Sequence, residues 1–189
     1  MANILDIFRT HTGERLITRA GELTLLDKQE IERAFIFTLP ALLSIFRKTE
    51  GLSLEQAQDL ISFIEKADLT SEGEKILNQH LNKDQFQNLK SCADMLEIDK
   101  EAFQNILNIS AAFLAATITQ MNKIEKDVKV SDLIPTLSGQ DVKYDEAFIS
   151  TIVKHDESPG IIDSSEKIAL GHKKDDNDQS ILGGYSGGR

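Results

Sequence analysis

The sequence predicts an all-α protein: a multihelical bundle of two duplicated helical repeats around two long central helices, with a disordered C-terminal tail. Three observations lead there. Apolar residues recur at helical spacing in nearly every segment up to residue 139. Capping side chains stand just before most of those segments. No stretch of useful length alternates apolar and polar residues as a half-buried strand would. A chain of 189 residues can bury roughly 70% of its unfolded surface without disulfides or metals. With nine Phe, two Tyr and no Trp, Leu, Ile, Ala and Phe must fill the core.

Taken in order, Asn3 can cap a first short helix carrying Ile4, Leu5 and Phe8. A second is expected after Thr12, holding Leu16, Ile17 and Ala20 and ending at Gly21. Asp27-Lys28-Gln29-Glu30 is an acidic capping box, in which Asp27 satisfies an orphan amide and Glu30 reaches back. Behind it Ile31, Phe35, Leu39, Leu42, Leu43 and Phe46 form one helical face. Pro40 removes an amide there and presses on the carbonyl of Ile36. The expectation is a kinked helix, or two in near-continuity, ending before Gly51.

Ser53-Leu54-Glu55-Gln56 is a second capping box, opening a helix with Ala57, Leu60, Ile61 and Ile64 inward. Ser71 opens a short helix with Ile76, Leu77 and Leu81 inward, and Asn82 another with Phe86, Leu89, Ala93 and Leu96. Asp99 caps the longest helix, carrying Phe103, Ile106, Leu107, Phe113, Leu114, Ile118, Met121 and Ile124. Ser131 caps a last short one with Leu133, Ile134 and Leu137, stopped by Gly139.

Residues 1–139 thus read as one helical domain. Residues 140–189 read as one short helix, with Phe148, Ile149, Ile152 and Val153 as its stripe, then an acidic, Gly/Ser-rich tail. That tail buries too little apolar surface to offset its ordering entropy, so disorder is expected from about residue 155.

Sliding the chain by 72 positions lays Asp27-Lys28-Gln29 on Asp99-Lys100-Glu101, Ile31 on Phe103 and Phe35 on Leu107. Leu42 then falls on Leu114 and Phe46 on Ile118, and a serine-capped short helix follows in each copy, at Ser53 and Ser131. The shared order of elements marks an internal duplication. The two long helices are expected to pack together at the centre.

Four segments resemble the bacterial YidB-like family, a domain of unknown function. They are the opening Asn3-Ile4-Leu5-Asp6-Ile7-Phe8, the centre Leu39-Pro40-Ala41-Leu42-Leu43, the stretch from Ser53 to Ile61, and Ser131 to Gly139. The resemblance spans residues 1–139 and rests on packing motifs of low specificity. It implies a helical bundle of bacterial origin and no activity. The family often has Gly before the long helix's cap, where this chain has Leu25-Leu26, so that turn is expected to differ.

Charge narrows the function. The formal net charge is −10, which opposes a phosphate backbone that is held through clustered Lys and Arg. Lys123, Lys126 and Lys129 read as a solvated face near the negative end of a helix dipole. A single cysteine, Cys92, cannot form an internal disulfide, and its apolar surroundings predict a buried structural thiol. The N-terminus lacks the basic and apolar regions of a secretion signal. The apolar stretch Ala34 to Phe46 is too short to span a bilayer. A cytoplasmic chain is expected, without membrane span or nucleic-acid partner.

No chemistry emerges from the polar residues. His11, His80, His155 and His172 are scattered and none makes an i,i+4 pair suited to zinc. Asp175-Asp176-Asn177-Asp178 lacks the Gly and bidentate Glu of a calcium loop. Gly184-Tyr185-Ser186-Gly187-Gly188 matches the nucleophile-elbow pattern, but no Asp or His follows it. No catalytic, cofactor-binding or metal-ligating residue is assigned, and neither enzyme activity nor a cofactor is expected.

One feature remains. The helix around Ala34–Phe46 adds Ala34, Phe37, Ala41 and Ile45 to its stripe and is apolar on most of its circumference. Such a helix is central in a bundle or partly covered by a partner. The expected function is a non-enzymatic scaffold or protein-interaction module for a protein partner. The alternative is a carrier of a small hydrophobic ligand in a cavity of the bundle.

Overall fold

The computed structural model describes residues 2–48, 52, 54, 59–126 and 128–153, and these are helical without a strand. A 3-10 helix, Ile4–Arg9, opens the chain. It is followed by α1 (His11–Thr24), α2 (Lys28–Phe46), α3 (Leu60–Lys66), α4 (Leu69–His80), α5 (Lys83–Leu96), α6 (Lys100–Glu125), α7 (Val130–Leu137) and α8 (Asp145–Ile152). Gly51, Ser53, Gln56 and Ala57 lie outside the described residues. So does the tail from 154 to 189.

Four expected caps are in place. Asn3, Asp27 and Asn82 each form a reciprocal box with the third helical residue, and Asp99 accepts from the amides of Glu101 and Ala102. Three others differ. Thr10, not Thr12, caps α1, because the Thr12 hydroxyl is buried and donates to the carbonyl of Ile152 at 2.7 Å. Gly21 is an interior residue of α1, which runs on to Thr24.

Asp68 caps α4 by accepting from the amide of Ser71 at 3.1 Å, so the helix starts before the expected serine. A carboxylate is the stronger acceptor, and this bond holds the Asp68 carboxyl below its ordinary pKa. Lys129 takes the N-cap of α7 without a side-chain bond, which places Ser131 inside the helix. α3 is capped by Asp59. α2 is one helix through Pro40 rather than two.

The duplication is visible in the backbone. α1 and α5 both have 14 residues and are displaced by 72, from His11–Thr24 to Lys83–Leu96. Each ends on a residue in the left-handed conformation, Leu25 at φ 60° and Glu97 at φ 57°. α2 and α6 begin 72 residues apart, at Lys28 and Lys100. At the first of these turns a leucine that is 91% exposed accepts the strained geometry.

α2 and α6 cross at a buried hydrogen bond between Thr38 Oγ1 and Ser110 Oγ, 2.7 Å long and 72 residues apart in sequence. Equivalent residues meeting each other place the local pseudo-two-fold axis at that bond. Phe35, Leu42, Phe46, Phe103, Leu107 and Leu114 are all fully buried. The two long helices do share the centre, but unequally. α6 is buried on every side from Ile106 to Thr119, and its most extensive neighbour is α4 rather than α2.

α4 can lie so close because Gly73 carries no side chain; a Cβ there would overlap the carbonyl of Asn108. Among the described residues α6 alone is long and apolar enough to cross a membrane, and 89% of its apolar window is buried in the body. Both long helices are thus central, α6 more completely than α2. α8 packs on α6 as well, and the amide of Ala2 donates to Asp145 Oδ2 at 3.2 Å. The helical body thus continues past residue 139 to Val153.

Candidate functional site

Turning 100° per residue away from Thr38 brings Arg33, Ile36, Pro40, Ser44 and Arg47 to the far side of α2. All five are exposed, and Ile36 is 52% so. Phe37, Ala41 and Ile45 flank them half-buried. Pro40 donates no amide, so the carbonyl of Ile36 loses its partner within the helix on this same open side. Ile36 and Pro40 form an exposed apolar strip.

Beside it lies a half-open cleft of about 390 Å3. Asn3, Ile4 and Leu5 of the opening 3-10 helix form one wall, and Pro40, Leu43, Ser44 and Arg47 of α2 form the floor. Ile134, Leu137, Ser138 and Gln140, from α7 and the turn after it, form the other wall. The capping box at Asn3 fixes the first wall. The chain turn after α7 fixes the second, through amides of Gln140 and Asp141 that donate to the carbonyl of Pro135 at 2.7 and 3.3 Å.

Arg9, Arg15, Arg19, Lys28, Lys75 and Lys100 each stand within 4 Å of a carboxylate. Lys90 and Lys143 lie over the rings of Phe86 and Tyr144. Among the described residues no such partner is found for Arg33, Arg47 or Lys48, nor for Lys66, Lys83, Lys126 or Lys129 elsewhere on the surface. Ile36 and Pro40 stand here between the exposed cations Arg33 and Arg47.

The residues weighed from the sequence do not gather into a site. His11 faces Glu14 at 3.5 Å and accepts from Arg15 Nε at 3.1 Å, all on the surface of α1. His80 ends α4 edge-on to Phe46, ring centroids 6.3 Å apart, and burial holds its pKa down. Lys123, Lys126 and Lys129 are exposed around the corner from α6 to α7. Cys92 is half-buried rather than buried, with Sγ 3.4 Å from the carbonyl of Asn88.

His155, His172, Asp175, Asp176, Asn177, Asp178 and Ser186 lie outside the described residues. Among the described residues no three His, Cys, Asp or Glu side chains stand close enough to share a metal ion. Asp145 is buried beside the amide of Ala2, and that burial raises its pKa.

The cations were the feature missed in the sequence. Arg33, Ile36, Pro40, Ser44 and Arg47 follow one another at three- and four-residue steps, a face as periodic as the core stripe. Comparison with protein-family models, with curated proteins and with solved structures finds no match.

Proposed function

We propose that the chain is a non-enzymatic helical scaffold or protein-interaction module, and that it engages its partner through the open side of α2. The observation behind this is the exposed strip of Ile36 and Pro40 with its adjoining cleft. Exposed apolar surface bordered by charge is characteristic of protein contact sites. A polar face would serve a solvated helix better. The resemblance to a bacterial domain family built from packing motifs agrees with a binding role and adds no chemistry.

A carrier of a small hydrophobic ligand is the alternative. The space available to it is the same cleft, which is wide enough for a small molecule but open, with Asn3, Ser44, Arg47 and Gln140 on its walls. A protein side chain suits that mixture better than a wholly apolar guest. Chromatography of the native protein from its own cells tests the proposal. The expected result is elution in an assembly well above the 21.1 kDa of one chain. Elution alone, at monomer mass, contradicts it.

A further inference from the structure

α8 reaches the body through an exposed connection. Ser138, Gln140, Asp141, Val142 and Lys143 all stand in solvent between α7 and α8, and Gly139 turns the chain there at φ 69°. The helix itself has eight residues, too few to persist without tertiary support. Its apolar side supplies some of that support: α8 packs on α6 and α7, with Phe148 fully buried and Ile152 nearly so.

The rest comes from residues 2–12, which tie the helix down at both ends. Asp145, its first residue, accepts from the amide of Ala2 through Oδ2 at 3.2 Å. Ile152, its last, accepts through its carbonyl from the Thr12 hydroxyl at 2.7 Å. Both bonds are buried, and they join residues 143 and 140 positions apart. One end of this tie works under load. Burial raises the pKa of Asp145, and the carboxylates of Asp141 and Asp6 add repulsion that the Ala2 amide opposes.

We infer that α8 is a lid on α6 latched by residues 2–12, and that lid and latch open as one local unit while α2, α4 and α6 stay folded. The coupling follows from the buried polar groups. Ala2 and Thr12 are each only 1% exposed, so once α8 lifts, the Ala2 amide and the Thr12 hydroxyl meet water only if their own segment loosens too. The same holds in reverse for Asp145 and the Ile152 carbonyl. Opening also bares the seat of Phe148, an apolar site that the closed body hides. The device thus gates access to the enclosed long helix, independently of the open side of α2.

Hydrogen–deuterium exchange of the full chain, read at single amides by NMR, tests this with Thr12→Val and Asp145→Ala, which each cut one end of the latch. Either variant should speed exchange about tenfold at both ends of the unit. The reporting amides are Phe148 and Val153 in α8, and Asp6 and Thr10 in the opening segment. Amides in the middle of α2 and α4 should exchange as before. Thr12→Ser, which keeps the hydroxyl, should match the unaltered chain.

Faster exchange confined to the neighbourhood of each substitution overturns the inference, since the two bonds would then be independent. Faster exchange in every helix overturns it too, because α8 would open only with the whole fold. So does unchanged exchange in both variants.

Discussion

α2 and α6 are copies of one helix with opposite surroundings. Both start from an aspartate cap, both bury a Leu at the same register, and they meet at equivalent hydroxyls. Yet among the described residues α6 is enclosed on all sides from Ile106 to Thr119, while α2 has one exposed side. The enclosed copy has become small and smooth where it is crossed, with Ala111, Ala112, Ala115 and Ala116 in its middle turns. The open copy holds Ile36, Pro40 and Arg47 at the corresponding side. Among the described residues one copy is packed within the body, and the other has a surface that this packing leaves exposed.

The comparison can be broken first at its shared part. Leu42→Ala and Leu114→Ala each remove a fully buried side chain at equivalent positions. Each should cost ~2–5 kcal/mol in chemical denaturation, and by similar amounts. A small loss at Leu42 alone would mean that α2 is peripheral to the core.

Gly73→Ala sharpens the difference. The added methyl has no room against the Asn108 backbone, so α4 must lift from α6, at a cost of ~2–3 kcal/mol. A fold that absorbs the methyl without loss would show that α4 is only loosely docked.

The repeated turns should respond in the other direction. Leu25→Gly and Glu97→Gly each relieve a left-handed non-glycine residue, and each should add about 0.5–1 kcal/mol. Destabilisation in thermal melts would mean that these residues make contacts outweighing the strain.

The smallest effect concerns pH. Burial against Phe46 lowers the pKa of His80 below its ordinary 6.5, despite its place at a helix C-terminus where the dipole favours a cation. Its stabilising contribution is therefore complete above pH 6.5 and is lost as pH falls through the lower folded-state value. His80→Gln should flatten stability between pH 7 and pH 5; an unchanged slope would assign it to other groups.

Much of this was legible in the sequence, and the exceptions share a cause. The all-α class, the core stripes and the caps at Asn3, Asp27, Asn82 and Asp99 all follow from local rules, and local geometry decides them. The errors at Thr12, Ser71 and Ser131 are places where another partner wins. Ile152 takes the Thr12 hydroxyl, Asp68 takes the Ser71 amide, and α7 starts without any side-chain cap.

The unequal burial of the two central helices could not be read, because periodicity reports how apolar a helix is, not what lies over it. α2 is apolar nearly all round and still open; α6 is tolerant of Asn108 and Ser110 and wholly enclosed. Only the tertiary approach of Gly73 decides between them. The cleft could not be read at all, since its walls come from residues 3–5, 40–47 and 134–140.

The most direct measurement places one charge at two equivalent positions. Ile36→Lys and Asn108→Lys differ only in which copy they alter, and both can be followed by denaturant unfolding. An open α2 and a covered α6 predict a change within about 0.5 kcal/mol at 36. At 108 they predict loss of more than about 3 kcal/mol, because the ammonium would be buried beneath α4 without a partner. Equal losses at the two positions would contradict the account, since they would mean that the two sides are covered alike.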